Sequence, residues 1–353
     1  GAISDGSVIV GMEWLSLRSA TAGTLRNVIL PSTVISLGGS LFADQSSLTN
    51  VTPLLPSSVK LIGNEAFFKI PVRGALDMSS VTNLAGAHHF RNTAITSVVM
   101  GAGLKEIPGY AFHGCPSLVS VLLPDDLEVI GSVAFQSCPA LADVAPLLPS
   151  SVKIIGNEAF FNSPISGALD MSSVTNLAGA HHFRNTSITS VVVGAELKEI
   201  AGHAFHGCQK LKSARFAEGV ESIGNAAFCN CTSLYDIENA LPLTLRSLSG
   251  ASTFFDVPYT GRVDLIGASF TTVPYQLGFP KAADFQFGVG VTRVLNYAFQ
   301  YVAVTDAPGT STSAAACHPS TGRGARCSRA YPTGNCGSSI LPTTTRPAAG
   351  GSG

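Results

Sequence analysis

The sequence predicts a solenoid of stacked rungs, with a parallel β-sheet on one side and turns with short 3₁₀ or helical segments on the other. Two observations predict it. Residues 95–117, ITSVVMGAGLKEIPGYAFHGCPS, and residues 118–140, LVSVLLPDDLEVIGSVAFQSCPA, carry aliphatic, Phe and Cys residues at the same offsets of a 23-residue unit. A period of roughly 20–29 residues with fixed apolar positions marks units that bury their apolar faces only by stacking. A longer period lies above it: residues 53–115 and 146–208 match at 53 of 63 positions, displaced by 93 residues.

Taken in order, residues 1–24 hold apolar positions without the full pattern and read as an irregular cap, with Trp14 as a buried cap residue. From Leu25 the rungs open at Leu25, Leu48, Val72, Ile95 and Leu118, then again at Leu141, Ile165, Ile188 and Leu211. A decayed set opening at Leu234, Tyr259 and Ala282 closes an array of about 12 rungs over residues 25–303. Each rung opens with a β-branched, aliphatic segment such as ITSVVM, which reads as a short parallel strand. Its second half, as in KEIPGYAFHGC, turns at glycine and is too short for a regular helix, so a turn with one helical or 3₁₀ turn is expected. The rungs opening at Leu48, Leu141 and Leu234 carry extra residues that should bulge. Residues 304–353 are rich in Pro, Gly, Ser and Thr with no rung pattern, and read as a low-complexity, disordered tail containing Cys317, Cys327 and Cys336.

The pattern L-x-x-V-x-L-P-x-x-L-x-x-I-G-x-x-A-F-x-x-C, as it stands in residues 118–138, resembles the BspA-type leucine-rich repeats of microbial and protist surface proteins. The resemblance covers residues 25–303, and the IG-x-x-AF core recurs at Ile130, Ile155 and Ile223. It implies a leucine-rich-repeat solenoid used in adhesion or partner binding, commonly at the cell surface. Two rungs, both containing GALDMSSVTNLAGAHHF, depart from it by ending in HHF instead of AF-x-x-C.

Composition narrows the function classes. The chain is 45% hydrophobic and only 12% charged, with a net charge of −1 and no run of Lys or Arg. Nucleic-acid binders concentrate positive charge on one face, so no nucleic-acid partner is expected. No uncharged apolar run is long enough to be a transmembrane helix. The first residue is Gly1, so either a leader has been removed or the chain is a fragment. Neither a G-x-S-x-G elbow, a phosphate-binding loop nor a zinc-type Cys pair is present, and no enzymatic activity or cofactor is expected.

Some residues invite a chemical reading. His88 and His89, duplicated as His181 and His182, could approach a metal with His113 or His206; packed or solvated histidines are the alternative, and no metal site is assigned. Cys115 and Cys138 hold equivalent places on consecutive rungs, as do Cys208 and Cys231, which leaves buried thiols and disulfides both open. Cys229 has no partner in the pattern. Sequons at Asn50, Asn185 and Asn230 would matter in a host that glycosylates, and together with the low charge and the family resemblance they suggest a cell-surface or secreted protein.

The expected function is a non-catalytic scaffold that binds a protein or matrix ligand through the exposed face of the sheet. A purely structural spacer, or an enzyme with an unrecognised site, is the alternative. With Val98 and Met100 inward, strand alternation puts Val99 outward. The outward row then reads Ile29, Thr52, Leu76, Val99, Leu122, Ala145, Leu169 and Val192, followed by Arg215, Glu238, Val263 and Gln286. Leu76, Val99, Leu122, Leu169 and Val192 are the expected partner-binding residues, flanked by a small or polar row that includes Gly74, Ser97, Ser120 and Gly167.

Overall fold

The computed structural model describes Ser7–Ile9, residues 25–238, 241–265, 271–273, 277–282, 284–287, 291–295 and 298–299, and the pairs Ala316–Cys317 and Cys327–Ser328. Apart from those last two pairs, the described residues coil as a solenoid of parallel strands. Successive rungs pair in register, for example Ser97, Val98 and Val99 with Ser120, Val121 and Leu122, and these with Asp143, Val144 and Ala145. Of the expected cap, Ser7–Ile9 is described and pairs in parallel with Asn27–Ile29. Trp14 lies outside the described residues, as does the tail apart from Ala316–Cys317 and Cys327–Ser328, which pair antiparallel.

Each rung contributes to two ladders. The first is built from the opening strands of three to seven residues, and it falls into blocks with the 93-residue period: Arg73–Met78 to Asp143–Ala145 form one four-stranded sheet, Ser166–Met171 to Asp236–Glu238 another. The breaks follow Thr52 and Ala145, where Pro53 and Pro146 begin the inserted PLLPSS. Proline lacks the N–H that would continue the pairing. The second ladder consists of two-residue strands such as Glu106–Ile107, Val129–Ile130 and Ile154–Ile155. It breaks after Asn83–Leu84 and Asn176–Leu177, because these rungs need six steps from the Leu to the spine Phe, as from Leu84 to Phe90, where Ile107 to Phe112 takes five.

No helix occurs among the described residues, so the short 3₁₀ or helical segments expected on the far side give way to turns and the two-residue strands. Backbone conformation explains the difference. In rung after rung the residue two before the spine Phe is left-handed, with φ between 50° and 63° at Ser40, Glu65, His88, Tyr110, Val133, Glu158, His181, His203 and Ala226. The residue two after it is left-handed as well, most often Asn or Gly, as at Asn92, Asn162, Asn185, Asn230, Gly114 and Gly207, with Asp44, Lys69, Ser137 and Asp256 in other rungs. Right-handed and left-handed residues therefore alternate, which stops any helix from propagating. Alternation also sends successive N–H groups in different directions: Ala111 donates to Pro108 O within its own rung, and Phe112 donates to Ala134 O of the next. The rungs with HHF keep this geometry, since His88 and His181 both have φ of 59°.

The interior is a spine of phenylalanines. Phe42, Phe67, Phe90, Phe112, Phe135, Phe160, Phe183, Phe205, Phe228, Phe254 and Phe279 are buried, and neighbouring rings lie 4.2 to 5.6 Å apart, nearly all of them parallel-stacked. Each ring removes a large apolar area from water and gains a further ~0.5–1.5 kcal/mol from its aromatic neighbours. Beside the spine runs a column of small donors. Cys115, Cys138, Cys208 and Cys231 are buried free thiols, and each donates to the carbonyl of the spine Phe one rung back, at 3.0 to 3.1 Å. Ser163 fills the same place and donates to Phe135 O. These four cysteines are thus thiols rather than disulfides, and burial pushes Cys208 up to about 11. Cys229, outside the column, is disulfide-bonded.

Candidate partner-binding face

The outward face of the first ladder carries the expected binding residues, and its register differs from expectation in two rungs. Val99 and Leu122 are exposed, 39% and 48%, and Val192 is half-buried. Leu76 and Leu169 are core residues with 1% exposure each. The cause is a bulge: Gly74 pairs with Ile95 but Ala75 with Ser97, so Thr96 is skipped, and the same irregularity recurs at Gly167 and Ala168, where Thr189 is skipped. Leu76 therefore stands opposite Val98, and Asp77 opposite Val99. Val263 is likewise buried, pairing with Phe285, and Asp264 takes the place opposite Gln286. In the flanking row, Ala75 and Ala168 replace Gly74 and Gly167.

The corrected row reads differently in the two four-stranded sheets. In the first it is Asp77, Val99, Leu122 and Ala145; in the second it is Asp170, Val192, Arg215 and Glu238. The residues just before these strands diverge too, Val119 to Lys212 and Ala142 to Tyr235, the last exposed. Inward positions keep their apolar character, Val121 and Val144 becoming Ala214 and Ile237, all of them buried. The copies thus share a core and differ in surface chemistry on their third and fourth rungs.

The first sheet presents Val99, Leu122 and Ala145 side by side in its outward row; Val119, 51% exposed, and Ala142 precede the strands, with Ser120 and the exposed Asp143 between them and that row. Asp77 closes the row at one end. Its Oδ1 accepts from the Ser79 N–H at 2.9 Å, and the bonds from Ser79 hold the carboxyl below its usual range, so it is ionised at neutral pH. Asp170, at the equivalent place in the second sheet, has the same bond from Ser172. Sequence reasoning missed Asp77 and Asp170, although the signal was present: in RGALDM the only large apolar groups, Leu76 and Met78, alternate inward like Val98 and Met100 and leave Asp77 outside.

The histidines lie on the opposite, turn side. His89 and His182 are buried at the place where other rungs have Ala, and their Nε2 atoms lie 3.1 and 3.2 Å from Ala85 O and Ala178 O. Burial brings both down to about 4, so they are neutral at pH 7. His88 stacks on Tyr110 and His181 on His203. Among the described residues no three His, Cys, Asp or Glu side chains come together in a way that could hold a metal. No helix there is long and apolar enough to cross a membrane.

A family model for the BspA type leucine rich repeat region, six copies long, matches residues 20–142, 83–209 and 176–256. The chain belongs to the BspA-type leucine-rich repeat family. Among solved structures, this BspA-type chain is similar to a leucine-rich repeat protein from Bacteroides ovatus, with a TM-score of 0.53 and 18% identity, covering 83% of this chain and 84% of that one. That likeness is one of fold. A leucine rich cell surface protein from Faecalibacterium prausnitzii matches at 23% identity and a TM-score of 0.34, covering 61% of this chain and 60% of that one. A leucine rich repeat protein from T. pallidum matches at 28% identity and 0.39, covering 46% and 76%. No curated protein matches the chain.

Proposed function

We propose that this BspA-type protein is a non-catalytic scaffold, displayed at the cell surface or secreted, that binds a protein or matrix partner through the outward face of its first four-stranded sheet. The observation that carries the reading is the outward pair Val99 and Leu122, exposed aliphatic side chains that face each other on adjoining strands, with an ionised Asp77 opposite Val99 and the exposed Val119 just before the second strand. Contiguous apolar surface on a polar face marks interaction sites, and a solenoid holds such a patch rigid. Divergence of the equivalent positions in the second sheet to Lys212, Arg215 and Glu238 supports it, because duplicates with one core and two surfaces suit recognition better than spacing.

The test is a comparison of the full chain with a Val99→Ser, Leu122→Ser double variant. Both are incubated with immobilised matrix proteins and host-surface extracts, and bound partners are quantified. Saturable binding that falls at least ten-fold in the variant, with an unchanged melting temperature, is the expected result. Binding that survives the substitutions would move the site elsewhere, and no saturable partner for the parent chain would leave a spacer.

A further inference from the structure

The turn side carries two clusters that this binding reading does not use. The 93-residue copies place Phe68, His88, Arg91, Tyr110 and His113 in one and Phe161, His181, Arg184, His203 and His206 in the other. Each is centred on a guanidinium over an aromatic ring, Arg91 at 5.7 Å from Phe68 and 5.5 Å from Tyr110, Arg184 at 5.4 Å from Phe161. In each the Arg Nη1 donates to an imidazole Nδ1, Arg91 to His88 at 3.2 Å and Arg184 to His181 at 3.3 Å.

The copies differ where Tyr110 becomes His203. In the second cluster the His181 ring stacks on His203 at 4.6 Å, and His203 meets His206 at 5.5 Å. Three imidazoles and a guanidinium thus form an unbroken chain of contacts across two rungs. Of the described groups that face them, Glu158 on the preceding rung is an acid whose charge favours a protonated His181 but is outweighed by burial and by Arg184; its Oε2 also accepts from Gln136 Nε2. The following rung offers Asn225, whose Nδ2 lies 3.3 Å from His203 Nε2, and the disulfide-bonded Cys229. His182, on the inner side, is committed to Ala178 O. The Nδ1 atoms of His203 and His206 are buried with no hydrogen-bond partner.

This packing requires neutral rings. Arg184 can donate to His181 only while Nδ1 keeps its lone pair, and adjacent imidazolium ions beside a guanidinium repel. We propose that His181, His203 and His206 form an acid-sensitive catch: proton uptake places cations side by side around Arg184 and opens the turn at residues 203–207, while rungs without histidine stay closed. Opening breaks the bonds from His203 N–H to Asn225 O, Phe205 N–H to Ala227 O and Gly207 N–H to Cys229 O, each 2.8 Å. Burial, with His181 and Arg184 nearby, holds His203 near 4, and burial with Arg184 does the same for His206, so the closed turn resists protons that the open turn accepts at an ordinary 6.5.

Amide hydrogen exchange of the full chain at pH 7 and pH 5, corrected for intrinsic rates, tests this. Linkage predicts that the opening constant of the turn at 203–207 rises on the order of ten-fold between these pH values, after allowance for the half-exposed His203. The His-free turn around Phe135, whose Val133 and Phe135 N–H groups donate to Asn157 O and Ala159 O, serves as the internal reference and should change little. His203→Tyr, which installs the residue the first copy already accommodates, should cut the rise several-fold, and Arg184→Gln should cut it too. An equal rise at both turns, or a His203→Tyr chain that responds like the parent, would overturn the proposal. So would imidazole resonances of His203 and His206 that titrate near 6.5 in the folded chain.

Discussion

Leu76 stands opposite Val98 across the first ladder, and Asp77 stands opposite Val99. One skipped residue, Thr96, sets that pairing and decides which side chain of RGALDM meets solvent. Leu76→Ser and Leu169→Ser should each lower unfolding stability by about 2–5 kcal/mol, since both remove a buried side chain and leave a hydroxyl in its place. Asp77→Ala and Leu122→Ser should stay within about 0.5–1 kcal/mol. Urea unfolding of the four variants measures the contrast, and similar midpoints for Leu76→Ser and Leu122→Ser would refute the register.

The phenylalanine spine predicts strong and transmitted effects. Phe135 lies 5.3 Å from Phe112 and 5.4 Å from Phe160, both stacked, and is fully buried. Phe135→Ala should cost about 3–5 kcal/mol, and Phe135→Leu clearly less because most of the volume remains. In a solenoid each rung supports only its neighbours, so hydrogen exchange should accelerate first in the rungs around Phe112 and Phe160.

The thiol column separates packing from hydrogen bonding. Cys138 donates to Phe112 O, and Ser163 already performs the same task for Phe135 O. Cys138→Ser should therefore be tolerated within about 1 kcal/mol, and Cys138→Val, similar in size but without a donor, should cost about 1–3 kcal/mol by leaving a buried carbonyl unpaired. Thermal denaturation of both variants checks the order. Cys115, Cys138, Cys208 and Cys231 should resist thiol reagents in the folded chain and react once urea unfolds it, as expected of buried groups.

Acid should weaken the fold through His89 and His182. Their folded values near 4 lie below the unfolded 6.5, so the folded state binds fewer protons and stability falls as pH drops. The stabilisation is fully present above 6.5 and is lost between 6.5 and 4, at about 2–3 kcal/mol for each ring. Urea midpoints at steps across that window should decline toward acid and stay level from pH 7 to 8.

Much of the architecture was legible because the same burial problem recurs in every rung. Val98, Val121 and Val144 point inward for one reason, repeated, and Phe112, Phe135 and Phe160 mark where each rung closes on the spine. The left-handed position two before the spine Phe was not legible. Glu65, Tyr110, Val133 and Ala226 share a positive φ, yet none of these types signals it. Cross-rung hydrogen bonds impose that conformation over local preference.

From the sequence alone followed the stacked parallel rungs, the 93-residue duplication, the inward phenylalanines and the outward Val99 and Leu122. Each of these depends on spacing within one rung or on identity between copies, which the chain carries in linear order. Tertiary structure decided the second ladder, the absence of helix, and the exchange of Leu76 and Leu169 for Asp77 and Asp170 on the outer face. A rung of altered length can absorb the change in its strand or in its turn. Which one yields depends on the hydrogen bonds offered by the rung beside it: Ile95 and Ser97 accept Gly74 and Ala75 only if Thr96 is passed over, and no residue of the rung itself records that choice.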